Sequence, residues 1–134
     1  MAEKKRLLIV EDNEDDQLLF ARGLRHDFPE AETITAATLE EAKRAIEDKT
    51  RPLHGIISDN RFPENERGPL RELAAEVVKH AAVHRPGIPV FVHSDALTDK
   101  QKNELLKLGA SSVREKNLFF KETVPRLRKR LLGE

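Results

Sequence analysis

Leu7-Leu8-Ile9-Val10-Glu11-Asp12 joins four apolar residues into one run and ends it on two acids. A strand covered on both faces reads this way, because side chains on either side meet core rather than water. Gly55-Ile56-Ile57-Ser58-Asp59 and Pro89-Val90-Phe91-Val92-His93-Ser94 repeat the pattern, each passing from apolar to polar residues. Weaker strands fit residues 32–36 and 111–115, whose mixed polarity suits the edges of a sheet.

Helical patterns lie between these strands. The clearest covers residues 69–84, where Leu70, Leu73, Ala74, Val77 and Ala81 recur at helical spacing. Pro69 suits a first helical position, and Pro86-Gly87 ends the segment. Another helix is predicted after Asn13, burying Phe20, Ala21, Leu24 and Phe28. Thr38 with Glu41 three residues later has the form of a capping box, opening a helix with Leu39, Ala42 and Ile46 on one side. Thr98 and Gln101 repeat the device, with Gly109 as the C-cap. A last helix spans about 122–132. Strand and helix thus alternate five times, which calls for an α/β, doubly wound, mostly parallel sheet with helices on both faces. Such sheets bind ligands beyond the carboxyl ends of their strands.

The 134 residues fit one domain, with a core over about 5–132 and no room for a second, output domain. Lysine plus arginine and aspartate plus glutamate both number 24, so net charge points neither to nucleic acid nor to an acidic membrane. The absence of cysteine excludes disulfides, thiolate zinc sites and thiol catalysis, and is compatible with a reducing compartment. The polar start, residues 1–6, leads into an apolar run too short for a signal peptide or a membrane span. These features predict a soluble, cytoplasmic protein.

The residues at the strand ends carry the chemistry. Glu11 and Asp12 follow the first strand, Asp59 the third, Ser94 the fourth and Lys116 the fifth. Carboxylates crowded at one edge repel each other, and a hard cation with oxygen ligands, Mg2+ or Mn2+, compensates them and also accepts phosphate oxygens. On this reading Asp59 is the nucleophile attacking phosphorus. Asp12 and Asp59 ligate the metal, and Glu11 holds a metal-bound water or reaches the ion itself. Lys116 neutralises the transferring group, and Ser94 donates a hydrogen bond to it. Taken singly, each residue has a structural explanation: acids cap helices, serine occupies turns, and lysine is usually solvated. Their joint placement supports the site.

Leu8-Ile9-Val10-Glu11-Asp12-Asn13, Ile56-Ile57-Ser58-Asp59-Asn60-Arg61-Phe62-Pro63, Val90-Phe91-Val92-His93-Ser94 and Gly109-Ala110-Ser111 leading to Lys116 together closely resemble the receiver domains of response regulators in two-component signalling. The resemblance covers nearly the whole chain. It implies a flavodoxin-like sheet in the order 2-1-3-4-5, phosphorylation of Asp59, and a divalent ion held by Asp12, Asp59 and the main-chain carbonyl of Arg61. It also implies a switch transmitted through Ser94, and modulation of the phosphoryl lifetime by Arg61 and Ala96. The implied partners are a sensor histidine kinase or a histidine phosphotransfer protein and a downstream effector. The surface of the fourth helix, fifth strand and fifth helix is where receivers often bind partners or dimerise.

Three features depart from the family. Asn117 follows Lys116 where a proline, often cis, is usual, which leaves the aim of the lysine open. Val113 replaces the aromatic residue that commonly turns inward with the switch. About five extra residues separate Asp59 from Ser94, near Glu64-Asn65-Glu66-Arg67, and read either as a tolerated surface loop or as a lid or partner contact.

Other features are given plainer readings. His80 and His84 sit four apart on a helix, but no third metal ligand is evident, so they read as an exposed pair. His93 is expected to point away from Ser94, because neighbouring strand residues face opposite sides. Arg126, Arg128, Lys129 and Arg130 read as a solvated face, with no aromatic residues interleaved for nucleic acid. The leading function is a phosphorylation-controlled binding module in a phosphorelay, with slow self-dephosphorylation and no enzymatic turnover. The alternatives are a magnesium-dependent aspartate-nucleophile phosphatase, disfavoured because Arg61 stands where such enzymes carry an acid, and a receiver-like scaffold that is never phosphorylated.

Overall fold

A computed structural model describes residues 4–133. Residues 1–3, part of the start read above as too short for a signal peptide, lie outside the described residues. In chain order the elements are β1 (Lys5–Val10), α1 (Glu14–Asp27), β2 (Ala31–Ala36), α2 (Leu39–Glu47) and β3 (Gly55–Asp59). Then come β4 (Arg61–Pro63), β5 (Leu70–Glu72), α3 (Ala74–His84), β6 (Val90–Ser94), α4 (Asp99–Leu108) and β7 (Ser112–Glu115). A 3-10 turn (Lys116–Leu118) and a π-helical turn (Phe119–Thr123) lead into α5 (Val124–Leu132).

The main sheet has the order β2-β1-β3-β6-β7, and every pairing in it is parallel. Counting only these five strands, that is the order 2-1-3-4-5 of a flavodoxin-like fold. The three apolar runs became its central strands, and the two polar ones its edges. Leu8, Val10, Ile56, Val90 and Val92 face α2, α3 and α4, whereas Leu7, Ile9, Ile57 and Phe91 face α1 and α5. Each central strand is therefore covered twice, which is why its sequence does not alternate.

The helix caps follow the sequence signals. Asn13 accepts from Asp16 N at 3.0 Å, and Thr98 forms the full reciprocal box with Gln101. At α2 Thr38 Oγ1 takes Glu41 N at 3.1 Å, but the Glu41 carboxylate bonds Ala37 N instead of Thr38 N. Gly109 closes α4 at φ 117°, a left-handed conformation that costs glycine little.

The helix expected over 69–84 begins only at Ala74. Leu70–Glu72 instead pairs antiparallel with Arg61–Pro63, so the extra residues form a β-hairpin. Local periodicity misled here because Leu70, counted as a core position, is 51% exposed. Tertiary anchors override it: Phe62 is fully buried beneath the hairpin, and Leu73 N bonds the Asn60 carbonyl at 2.8 Å. Pro63 is tolerated because a two-stranded ribbon leaves half of its backbone groups facing outward, and Pro69 lies just before β5. The hairpin rests on α2 through Glu40 N to Glu64 O at 3.0 Å and on α4 through Gln101 Nε2 to Glu72 Oε2 at 3.2 Å. Among the described residues no helix is long and apolar enough to cross a membrane.

Candidate functional site at the carboxyl edge of the sheet

Register fixes the site. Val10 pairs with Ser58, so the residues that follow them, Glu11 and Asp59, leave the sheet side by side at the point where strand order reverses. Asp59 pairs with His93, and Ser94, one step farther along β6, lies opposite Glu115, just before Lys116. A cleft of about 440 Å³ opens there, lined by Glu11, Asp12, Asp59, Arg61, Ser94, Ala96 and Lys116. Every strand-end residue singled out from the sequence lies in it. Val113 does not: it is half-buried in β7 and packs against the core on the α2–α4 face.

Lys116 is the hub. Its Nζ lies 2.6 Å from Glu11 Oε1, 3.0 Å from Asp16 Oδ2 and 3.2 Å from Asp59 Oδ2. No peptide bond among the described residues is cis. The lysine thus reaches the carboxylates over a trans Lys116–Asn117 bond. Nζ also lies over the Phe20 ring, 5.9 Å from the centroid. Asp59 is held at both oxygens, Oδ1 accepting from Asn60 N at 2.7 Å while Oδ2 meets Lys116. Asp59 and Ser94 are both buried, at 9% and 6% exposure, yet each borders the cleft.

Electrostatics set the resting state. Burial raises Glu11 to about 7, and the neighbouring Asp59 charge pushes the same way while Lys116 opposes both. Burial alone would lower Lys116, but bonds to Glu11 and Asp16 and the attraction of Asp59 hold it above its ordinary value. It stays an ammonium ion. Glu11, Asp12 and Asp59 each offer a carboxylate oxygen within 4.8 Å of the others. That all-oxygen, anionic donor set fits a hard divalent cation.

Three carboxylates lining the cleft, Asp16, Glu72 and Asp95, escaped the sequence reading. Asp16 is one of three acids in the first turn of α1, and because α1 starts directly beyond β1 that turn overhangs the cleft. Glu72 enters through the hairpin, which no local pattern announced. His93 faces away from the cleft as expected, 1% exposed, between Phe20 and Phe119 at centroid distances of 4.9 and 5.5 Å. His80 and His84 differ from expectation: both are half-buried, and Glu47 on α2 stands beside them.

Solved structures share this architecture. The chain superposes on a CheY-like response regulator receiver domain protein from Methanospirillum hungatei with TM-score 0.81 and 21% identity, covering 98% of this chain and 96% of the other. The receiver domain of a sensor histidine kinase from Pseudomonas aeruginosa, with a magnesium ion coordinated in its active site cleft, gives TM-score 0.75 at 19% identity over 98% and 99%. A response regulator from Burkholderia pseudomallei carrying a phosphorylated aspartic acid and a calcium ion gives 0.72 at 17% identity, over 96% of this chain and 66% of the other. No protein-family model and no curated protein matches the sequence. At these identities the likeness shows a fold, and the fold is that of the response-regulator receiver domain.

Proposed function

We propose that this chain is a cytoplasmic, phosphorylation-controlled binding module. It accepts a phosphoryl group on Asp59 from a histidine kinase or a histidine phosphotransfer protein, and its affinity for an effector changes in consequence. One observation carries the reading: Asp59 stands in a carboxylate cluster at the switch point of the sheet with an ammonium group 3.2 Å from one oxygen. A carboxylate so placed is oriented for attack and provided with a counter-charge.

In the transfer a bond forms from an Asp59 oxygen to phosphorus as the phosphorus–nitrogen bond of the donor breaks, its electron pair returning to the imidazole nitrogen. Asn60 N–H fixes the other Asp59 oxygen, so one lone-pair direction is kept for attack. Lys116 neutralises charge on the transferred group, and the Ser94 hydroxyl donates to one of its oxygens. Glu11, Asp12, Asp59 and the Arg61 carbonyl would hold Mg2+ or Mn2+, which when bound supplies the further positive charge that a phosphoryl group requires. Helix α4, β7 and α5 offer the surface for an effector or a second copy, with Leu106 45% and Leu108 39% exposed on α4.

Incubation with acetyl phosphate and Mg2+, followed by intact-mass measurement, tests the proposal. One added phosphoryl group is expected, absent in Asp59→Asn. Donor hydrolysis without an adduct would assign a phosphatase, and neither adduct nor hydrolysis a constitutive scaffold.

A further inference from the structure

The last turns of α2 and α3, away from the cleft, bring two imidazoles and a carboxylate together. His80 and His84 lie with ring centroids 4.3 Å apart, and Glu47 Oε2 stands 2.7 Å from His80 Nε2. One donor atom from each of the three residues lies within 4.8 Å of the other two. The backbone beneath them is fixed. Ile46 and Ala81 are buried, Arg85 Nε donates to the Ile46 carbonyl at 2.8 Å and its Nη2 to those of Asp48 and Arg51, and Lys49 donates to the His84 carbonyl. Both helix ends are thereby stapled to each other before any ligand arrives.

We propose that Glu47, His80 and His84 form a transition-metal site of the zinc class, completed by water, which clasps α2 to α3. Two neutral imidazoles and one carboxylate are a donor set for Zn2+, Ni2+ or Cu2+ and a poor one for Mg2+, which prefers oxygen alone. A tetrahedral ion with bonds of about 2.0–2.1 Å places its donors about 3.3 Å apart. The Glu47 side chain, itself 49% exposed, has room to rotate toward that spacing. The site lies at two helix C-termini, whose partial negative charge favours a cation. Arg85 and Lys49 oppose that field, so the affinity is set by the three ligands and not by net charge.

The test is a Zn2+ titration of the metal-stripped full chain in excess Mg2+, which occupies the carboxylate cleft, read by calorimetry and by histidine imidazole resonances. One equivalent is expected to bind and to shift the His80 and His84 resonances. Its affinity should fall at least tenfold in His80→Ala and in His84→Ala but be retained in Asp12→Ala. Co2+ should give the visible absorption of a low-coordinate nitrogen–oxygen site in the unsubstituted chain, an outcome independent of how the variants fold. Zinc should also raise the melting temperature of the unsubstituted chain and not that of the double histidine variant. Equal Zn2+ affinity with and without the two histidines, or resonances that move only around Asp12 and Asp59, would overturn the site. Phosphorylation of Asp59 is expected to be unaffected by the histidine substitutions, so this site and the phosphoacceptor reading stand or fall separately.

Discussion

Replacing His93 by leucine removes a buried base that the fold holds neutral. The ring is 1% exposed, and neither nitrogen has a hydrogen-bond partner. Burial, with the Lys116 charge acting in the same direction and Asp16 against it, lowers His93 to about 3 from 6.5. An unfolded histidine takes up its proton near 6.5, so between that pH and about 3 the unfolded chain binds more protons than the folded one. The contribution of His93 is therefore complete above 6.5 and is lost as pH falls towards 3, at about 1.4 kcal/mol per pH unit once well below 6.5. From pH 7 to pH 5 the loss is about 2 kcal/mol, on the order of 8 °C in melting temperature for a domain of this size. Glu11 works in the opposite sense: its folded value is raised to about 7 from 4.5, so its contribution is present below 4.5 and lost as pH rises through 7. Comparing the unsubstituted chain with His93→Leu at each pH cancels Glu11 and isolates the histidine. Leucine, of similar volume, also removes two unsatisfied nitrogens, so the variant should be more stable by about 1 kcal/mol even at pH 7. Thermal melting without divalent ions should show this gap widening to about 3 kcal/mol at pH 5. A gap that stays constant between pH 7 and pH 5 would refute the assignment of a neutral, proton-resisting His93.

Gly23→Ala would drive a Cβ into Cε1 and Cζ of Phe120, whose ring also packs on Phe119 at 4.9 Å. The helix-propensity gain of about 1 kcal/mol is outweighed by 1–3 kcal/mol of overpacking, so urea midpoints should fall, and the same substitution should stabilise a Phe120→Ala background (roughly these magnitudes). Glu72→Ala removes the bond to Gln101 and should cost under about 1 kcal/mol globally, but amide exchange should speed up in β5 and at the start of α4. Asp12→Ala should raise the Mg2+ titration midpoint about tenfold, equivalent to about 1.4 kcal/mol, by deleting a charged oxygen ligand. Arg61→Ala should shorten the phospho-Asp59 lifetime several-fold, about 1 kcal/mol in barrier, because Arg61 lines the cleft and is expected to pair with phosphoryl oxygens and cover the approach of water. Decay after donor removal measures it.

What the sequence made legible was whatever depends on neighbours in the chain or on burial over a whole strand. Leu7 to Val10 announced a two-sided strand because all four residues are fully buried. Thr98 and Gln101 announced a helix start because both halves of the cap lie within four residues. The strand-end acids could be placed because a parallel sheet brings every carboxyl end to one edge. What stayed hidden rests on separations that no local pattern encodes: Arg61 pairing with Glu72 across the hairpin, and Glu47 meeting His80 from 33 residues away. Asp16 was hidden differently, since acids in a first turn are common and only the position of α1 over the sheet edge gives this one a partner.

The hairpin changes how the site and α4 are related. Gln101 has one side-chain amide and divides it, Oε1 accepting from Thr98 N at 2.9 Å to cap α4 while Nε2 donates to Glu72 at 3.2 Å. Glu72 is paired in register with Arg61, two residues beyond Asp59. A continuous path of main-chain pairing and one amide therefore joins the segment after Asp59 to the first turn of α4. Val113 gives β7 no ring to reorient, so we expect a change at Asp59 to reach α4 mainly through the Ser94 loop and this hairpin. The bond is separable from the rest: Glu72→Ala removes the Gln101–Glu72 bond and leaves the Thr98 cap and Ser94 intact, so any α4 response to phosphorylation that survives in that variant does not depend on that bond.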